Sequence, residues 1–294
     1  MTATIPGSAA PAVDSLQADA SEAAPGGSRF RSLLRRPSFI VSVLIVVWWV
    51  VAAIGWHLVG LQPYAKTGEL LASPTWAHPF GTDNLGRDMF ARVVAGAGPA
   101  LLIGPFGALL ATIIGGALGL VAGYYRGVVD TLMMRFFDVL LALPSLIFLV
   151  VLVGAFGIGP GALILIVGIL FAPGIARIIR AATLVEMGKS YVTAAKLQGE
   201  RDVRILFREL LPNVLPNLVI QATLSLAAAV FITASLSFLG LGSQPPSADW
   251  GLAINENRVY LQTAWWTVVF PAVGVASLVV AANLIADNIR EVSR

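Results

Sequence analysis

Few residues of this chain have the types and spacing that chemistry needs, and the first candidate is a short stretch with the letters of a phosphate-binding loop. Met187–Ser190 reads MGKS, in which the Lys and Ser would hold a phosphate and its Mg²⁺. The first glycine that such a loop requires falls at Thr183, and no strand pattern precedes it. We therefore predict no nucleotide chemistry in this chain, which is not expected to be an enzyme.

The remaining ionisable residues do not have the spacing of a metal site or a proton relay. His57 and His78 have no companions at metal-ligand spacing. Asp138 and Asp287 lie near the ends of apolar runs, where water is close, so we expect solvated groups or structural partners rather than proton carriers. No metal site is predicted.

A group of charges alternating in sign begins at Asp83 and continues through Arg87, Asp88 and Arg92. One interpretation is a local ion-pair network that caps the following helix, with each exposed pair contributing about 0–1 kcal/mol. The other is a contact with an external protein, for which Asp83, Arg87 and Asp88 are the candidates. The pattern favours the structural interpretation and leaves the second open.

The densest charge lies in TAAKLQGERDVRILFRELLPN, Thr193–Asn213. A short helix is predicted up to Gly199, because glycine tolerates the positive φ that commonly ends a helix. An amphipathic helix is predicted after this bend, and Pro212 is expected to stop it. Its apolar residues recur at helical spacing and comprise Val203, Leu206, Phe207, Leu210 and Leu211.

Three interpretations of this stretch compete. A plain linker would not need a clean apolar stripe. A helix lying on anionic lipid usually has a polar face dominated by Lys and Arg, whereas this one mixes acids with bases. A docking surface for a soluble partner accounts for both the stripe and the mixed charge, so the pattern favours docking. The charged side is expected to face water and the partner, while Val203, Leu206, Phe207 and Leu210 pack against the rest of the protein.

The composition indicates which kind of structural element holds these residues in place. Of 294 residues, 57% are hydrophobic and 12% charged, with a mean hydropathy of +0.83, whereas soluble domains carry about 25% charged residues. The absence of Cys excludes disulfides and thiolate metal sites. The apolar residues form blocks long enough to span a membrane, which takes about 20 residues. The blocks predict an all-α polytopic membrane protein with six transmembrane helices: Ser38–Leu61, Pro99–Gly123, Phe136–Gly157, Gly161–Ile179, Val214–Leu241 and Ala264–Ala286.

The blocks divide the chain into four parts. Residues 1–28 lack an apolar period and are predicted to be a disordered cytoplasmic tail. Residues 29–61 form a basic flank and the first span, which is too long for the core of a cleaved signal peptide. An external segment, 62–97, and a five-helix core, 98–294, follow. The core contains a cytoplasmic loop, 190–213, and an external loop, 242–263.

The distribution of positive charge predicts the orientation. With the N-terminus inside, 15 of the 19 Lys and Arg lie on the cytoplasmic side. Only Lys66, Arg87, Arg92 and Arg258 lie outside. The positive-inside rule therefore predicts cytoplasmic N- and C-termini. The net charge of +3 is small, and no nucleic-acid partner is expected.

The fifth span carries small and polar residues on one face: Gln221, Ser225, Ala228 and Ser235. Such a face commonly means close helix packing. It would also suit the lining of a transport pathway, because a peptide backbone needs hydrogen-bonding partners. Packing is favoured, and Gln221, Ser225 and Ser235 remain candidates for the lining.

The charged stretch resembles the EAA loop of ABC-importer permeases, E-A-A-x3-G-x9-I-x-L-P. Ala194, Ala195, Gly199, Leu211 and Pro212 match the pattern, whereas Thr193 replaces its Glu and Glu209 its Ile. The resemblance implies that the loop contacts an ATPase, through residues that include the matching positions together with Thr193, Leu206 and Phe207.

Two further segments resemble the dipeptide/oligopeptide/nickel group of importers, in the shorter of its two permeases (DppC or OppC type). They are HPFGTDNLGRDMFAR, from His78, and SFLGLGSQPPSADWGLAINENRVY, from Ser237. The resemblance implies a MetI-like, type I importer permease in a bacterial cell membrane. Its implied partners are a second permease (DppB or OppB type), two ATPase subunits that bind ATP and Mg²⁺, and an external substrate-binding protein. The chain itself needs no cofactor.

This resemblance implies that the importer moves short peptides or similar small solutes. The alternative is a stand-alone ion-coupled carrier or a channel. A carrier usually needs mid-membrane carboxylates or paired broken helices, and the sequence contains no convincing set.

Overall fold

The computed structural model describes residues 36–293, and the regular secondary structure of this part of the chain consists of helices and two isolated β-bridges. The predicted tail, 1–28, and the basic flank before Arg36 lie outside the described residues. The helices, labelled in chain order, are α1 Pro37–Gly55, α2 Met89–Tyr125, α3 Gly127–Ala142, α4 Ser145–Phe156, α5 Pro160–Glu186, α6 Ser190–Leu197, α7 Leu211–Phe238, α8 Trp250–Asn257 and α9 Trp266–Ser293. A helical turn, Asp202–Arg204, and a π-helical segment, Ile205–Leu210, precede α7, and a 3₁₀ turn, Arg258–Tyr260, follows α8.

Five helical stretches are long and apolar enough to cross a membrane: α1, α2, α5, Asp202–Phe238 and α9. The predicted third span is not one helix. It is divided into α3 and α4, which are bent by 102°. Leu143 is extended, with ψ 134°, because the ring of Pro144 disfavours helical backbone at the residue before it. The described chain therefore has five candidate spans, or six if the bent pair is one broken span.

Helix α2 begins ten residues before the predicted second span. The Asp88 side chain caps it by accepting a hydrogen bond from the backbone N of Ala91 at 2.9 Å. This cap satisfies one of the N–H groups that a helix start leaves unpaired. The boundary placed between residues 97 and 98 consequently falls inside α2.

The close pairing of α2 with α5 depends on small residues of α2 spaced four apart. A Cβ on Gly115 would lie 2.6 Å from the backbone O of Ala172, and a Cβ on Gly107 would lie 2.6 Å from Val167 Cγ1. These distances are below van der Waals contact, so only glycine lets the two backbones approach this closely. The stripe comprises Gly107, Ala111, Gly115, Gly119 and Gly123.

The two ends of the bundle are tied by different contacts. At one end the start of α2 packs on α8, and Trp250 Nε1 donates to the backbone O of Val93 at 2.8 Å. At the other end Tyr124, near the end of α2, meets Asp202. We call these the α8 end and the α6 end. Arg36 and Glu291, near the two limits of the described chain, form an ion pair.

Three tryptophans form part of the core at the α8 end. Trp49, Trp250 and Trp266 are buried, and the rings of Trp49 and Trp250 meet edge to face at 4.8 Å. Their indole N–H groups find partners in Ser277 Oγ, Val93 O and Thr82 O respectively. Burial of the large rings is favourable because each polar N–H is satisfied.

Candidate functional site

The bend after α6 is a Schellman motif centred on Gly199. Gly199 has φ +74°, and its backbone N donates to Lys196 O at 3.0 Å. The N of Glu200 reaches back to Ala195 O at 3.1 Å. These two hydrogen bonds satisfy the last carbonyls of α6. The predicted short helix and bend at Gly199 are therefore confirmed.

Pro212 does not stop the helix that follows, contrary to the sequence-based expectation. The chain stays helical from Asp202 to Phe238, and Pro212 lies in the first turn of α7. A π-helical segment, Ile205–Leu210, immediately precedes it. A proline has no backbone N–H to donate to the preceding turn of an α-helix. The wider π turn changes the hydrogen-bonding pattern just before Pro212, and the helix continues through it. The loop and the fifth span thus form one helical unit.

The π turn also changes which apolar residues are buried. Leu206 and Leu210 are buried as predicted, and so is Ile205, which the helical pattern had missed. They pack on Leu120 and Tyr124 of α2 and on Val192 and Ala195 of α6. Val203 and Phe207, which were expected to pack with them, are each 64% exposed.

Polar contacts fix this segment to the end of α2. Tyr124 donates its hydroxyl to Asp202 Oδ1 at 2.7 Å, and Lys196 Nζ lies 5.0 Å from the centre of the same ring. Arg204 Nε pairs with Glu200 Oε1 at 3.3 Å. Because Tyr124 touches both sides of the bend, α6 and the π turn are held in one arrangement relative to α2.

The approach from α5 to α6 is fixed in a similar way. Glu186 accepts from Lys189 Nζ at 2.8 Å and from the Tyr191 hydroxyl at 2.7 Å. Burial and then the hydrogen bond to Glu186 raise the pKa of Tyr191 to about 12. Tyr191 therefore keeps its proton and donates this hydrogen bond throughout the physiological range. Lys189, the lysine of the MGKS stretch, is consequently part of a local ion pair.

The outward side of this unit combines apolar and basic side chains. Phe207 and Val203 line an open groove of about 720 Å³ together with Arg201, Arg204, Arg208 and Pro212. Leu197, on α6, is 84% exposed beside the bend. We call this set, with Leu197, the basic-apolar surface. Exposed large apolar residues next to arginines are typical of a protein-binding surface, because interfaces are enriched in aromatic residues and Arg.

The residues predicted for the ATPase contact divide between the inside and the outside of this unit. The exposed ones are Thr193, Ala194, Gly199, Phe207 and Pro212. The buried ones are Ala195 and Leu206, and Leu211 is half-buried. The buried members support the surface rather than form it. Val203, Leu197 and the three arginines belong to the surface but were not singled out as site residues.

At the α8 end the predicted charge group is an interior network. Asp83 Oδ2 accepts from Arg87 Nε at 2.6 Å and from Arg92 Nη1 at 2.5 Å. Glu256 of α8, which the sequence did not implicate, accepts from Arg87 at 2.7 Å and from Arg92 at 2.9 Å. These ion pairs support the favoured interpretation, a structural network. The alternative, in which Asp83 and Arg87 contact an external protein, is contradicted because both side chains are buried.

The Asp83 carboxyl responds to two opposed influences. Burial by itself raises its pKa, but the backbone N–H of Arg87 and the charges of Arg92 and Arg87 outweigh this effect. The net result is a pKa below its ordinary value. Asp88, whose side chain is 16% exposed, caps α2 and pairs with His78 Nδ1 at 2.6 Å.

The pathway candidates on α7 do not line one common cavity. Ser225 is buried and Gln221 is half-buried. Ser235 lines an apolar groove of about 460 Å³ beside α9, and its hydroxyl donates to Phe231 O at 2.9 Å. Their role in lining a pathway stays a prediction.

Ion pairs also involve one of the acids considered as a proton carrier. Asp138 of α3 pairs with Arg177 of α5 at 2.5 Å, with both side chains about half exposed. Asp287 of α9 is exposed. Over residues 36–293, no cluster of three or more His, Cys, Asp or Glu is arranged to hold a metal ion.

Residues 115–292 match the family described as binding-protein-dependent transport system inner membrane component. The chain belongs to this family. The match runs from the middle of α2 almost to the end of α9 and includes the whole basic-apolar surface. This permease is therefore the multi-pass inner-membrane subunit of an importer.

Curated relatives resemble the permease over most of its length. It is 36% identical to a dipeptide transport system permease protein DppC of Alkalihalophilus pseudofirmus, over 91% of this chain and 88% of the relative. It is 39% identical to a di/tripeptide transport system permease protein DppC of Pseudomonas aeruginosa, over 76% and 75%. A glutathione transport system permease protein GsiD of Escherichia coli is 36% identical, over 89% and 88%.

The fold of the permease is similar to that of a solved ABC transporter chain. It superposes on a chain of the MetNI methionine ABC transporter, solved in inward-facing conformations, with a TM-score of 0.56. The alignment covers 70% of this chain and 98% of the other at 22% sequence identity. The MetI-like fold expected from the sequence is thereby supported.

Proposed function

We propose that this permease imports short peptides or similar small solutes and is driven by ATPase subunits that bind to the basic-apolar surface. The observation that carries this proposal is the exposure of Phe207, Val203 and Leu197 on a unit that is otherwise well packed. The printed names of the relatives, which are dipeptide, di/tripeptide and glutathione permeases, support the substrate class.

The route of coupling follows from the continuity of the helix. The basic-apolar surface and α7 form one helical stretch from Asp202 to Phe238. A displacement of this surface by ATPases that bind ATP and Mg²⁺ is therefore passed directly to a membrane span. Such a displacement would favour one of two discrete arrangements of the pathway.

The orientation that we propose places the α6 end in the cytoplasm, with both termini on that side. The α3–α4 pair takes the chain from Tyr125, at the α6 end, to Pro160, which lies beside the 242–247 segment at the α8 end. Counting this pair as one broken span gives six crossings. An even number of crossings returns the C-terminus to the side of the N-terminus.

The complete importer would contain a second permease, two ATPase subunits and an external substrate-binding protein. Exposed apolar residues on α3 and α4, among them Leu132, Phe136, Ile147 and Val151, suit contacts with lipid or the second permease. ATP and Mg²⁺ would be held by the ATPases alone.

Purification in mild detergent and reconstitution test this function against that of an ion-coupled carrier. We expect two ATPase chains and a second permease to co-purify with this chain. Uptake of a di- or tripeptide into proteoliposomes should require ATP and the binding protein and should persist with an ionophore present. Uptake by this chain alone that collapses with the ionophore would show the carrier to be the correct class.

A further inference from the structure

The segment between α1 and α2 carries a tryptophan, Trp76, whose side chain is fully exposed. Trp76 has a relative exposure of 104%, so the whole ring faces outward. An aromatic ring of this kind buries about 150–250 Å² when it finds a partner. Leu70, in the same segment, is 66% exposed.

The backbone that carries Trp76 is built as an ordered turn. Thr75 N donates to His78 O at 2.9 Å, and His78 N donates to Thr75 Oγ1 at 3.2 Å. Ala72 and Thr82 exchange two further hydrogen bonds, of 2.8 and 3.0 Å, across the base of the turn. We call residues Ser73–Pro79 the Trp76 turn.

The Trp76 turn is fastened to two spans. His78 Nδ1 lies 2.6 Å from Oδ2 of Asp88, the residue that caps α2. Phe80, just after the turn, stacks on Phe270 of α9 with ring centres 3.9 Å apart. A backbone fixed in this way loses little conformational freedom on binding, and this pre-organisation favours affinity.

The surroundings of Trp76 indicate that its partner arrives through water. The exposed residues of the segment that carries Trp76 include the polar or charged Lys66, Thr67, Glu69, Ser73 and Thr75. The groove beside α7 and α9 differs, because its lining is almost wholly apolar and suits a membrane-embedded partner or lipid. A fully exposed tryptophan in a segment with exposed polar and charged residues, beyond the start of α2, suits a water-soluble protein.

We propose that the Trp76 turn, with Leu70, is a docking point for the water-soluble external substrate-binding protein. This inference rests on the proposed function, which places the α8 end outside the cell and requires such a protein. Trp is among the residues most enriched at binding hot spots, where truncation costs about 2 kcal/mol or more. Trp76 would insert into an apolar pocket of the binding protein and fix its position over the permease.

The test uses the whole importer in nanodiscs, titrated with peptide-loaded binding protein while ATP hydrolysis is measured. Trp76→Ala should raise the binding-protein concentration for half-maximal stimulation about 30-fold. Trp265→Ala is the matched control, since Trp265 is a half-exposed tryptophan before α9 outside the turn, and it should behave as the wild type. The yield of assembled complex monitors folding.

The outcomes separate this inference from the proposed function. Wild-type stimulation with an unchanged Trp76→Ala titration would overturn the docking point and leave the importer function standing. Lack of stimulation of the wild type would overturn the importer function itself.

A second measurement distinguishes protein from membrane. The chain has no Cys, so a fluorophore on Trp76→Cys reports on one position. We expect its emission to shift when binding protein is added in excess of the half-maximal concentration measured for Trp76→Ala. Quenching by brominated lipids, with no response to the binding protein, would show that Trp76 meets the membrane instead.

Discussion

Gly199 shows how one backbone angle shapes the basic-apolar surface. Its φ of +74° is reached easily only by glycine and, among the other residues, best by Asn or Asp. A Cβ atom at this position would meet nothing within 4 Å. The chain itself therefore restricts the conformation of residue 199 but not its size, and any restriction on size must come from a partner.

Gly199→Trp and Gly199→Asn separate these two effects. We expect Gly199→Trp to abolish uptake while the protein still reaches the membrane, because the indole would occupy the surface that meets the ATPase. Gly199→Asn keeps the positive φ with little bulk and should retain most of the activity. Uptake assays at matched membrane abundance decide, and wild-type transport by Gly199→Trp would refute the docking assignment.

Asp83 is the buried carboxylate that both Arg87 and Arg92 contact. Asp83→Asn leaves Arg87 and Arg92 with one carboxylate fewer in a buried site, so it should destabilise the permease by about 3–5 kcal/mol. Thermal unfolding in detergent measures the loss. Glu69→Gln, which changes an exposed carboxylate of the same segment, is the control and should unfold like the wild type.

The pKa of Asp83 also fixes the sign of a pH dependence. Its folded-state pKa lies below the ordinary value of 3.8, so its stabilising contribution is complete above that value. The contribution is lost only as the pH falls through the lower, folded-state pKa. The difference between wild type and Asp83→Asn should therefore be the same at pH 7 and pH 5, and a difference that shrinks by pH 5 would contradict this assignment.

At the scale of helices, two prolines explain why the sequence predicted the positions of the spans better than the places where helices break or continue. Apolar block length correctly located the long helices, since hydrophobicity over about 20 residues is a strong signal. Pro144 breaks a predicted span, whereas Pro212 interrupts nothing because a π turn precedes it. Local sequence does not distinguish these outcomes. The burial of Ile205 and the exposure of Phe207 follow from the same π turn, so helical periodicity could not predict them.

The glycine stripe of α2 gives a prediction for the α2–α5 pair. Gly→Ala inside a helix normally stabilises it by about 0.5–1 kcal/mol. A Cβ on Gly115 would lie 2.6 Å from a backbone oxygen of α5, so the helices must separate, and Gly115→Ala should instead destabilise the permease by about 1–3 kcal/mol. Gly174→Ala, on α5, is the control, because its Cβ meets nothing within 4 Å. Equal melting temperatures for the two variants would show that the close approach of α2 and α5 does not contribute to the stability of the permease.

At the scale of the whole molecule, the two ends of the bundle differ in whether their arginines are buried in ion pairs or exposed. At the α8 end Arg87 and Arg92 are neutralised by Asp83 and Glu256, which the sequence could not reveal because Glu256 is 164 residues after Arg92. The basic-apolar surface at the α6 end instead exposes Arg201, Arg204 and Arg208. These exposed arginines lie at the end that the count of Lys and Arg predicts to be cytoplasmic.

Cysteine labelling tests this orientation, since the natural chain has no Cys. Trp76 and Leu197 are both highly exposed and belong to opposite ends of the bundle. A membrane-impermeant maleimide should label Trp76→Cys in intact spheroplasts and Leu197→Cys only in inside-out vesicles, because the α8 end is proposed to face outward. The reverse pattern would invert the orientation. Labelling of both variants from the same side would contradict the placement of the two ends across the membrane, and with it the route by which ATPases at the α6 end could drive opening at the other.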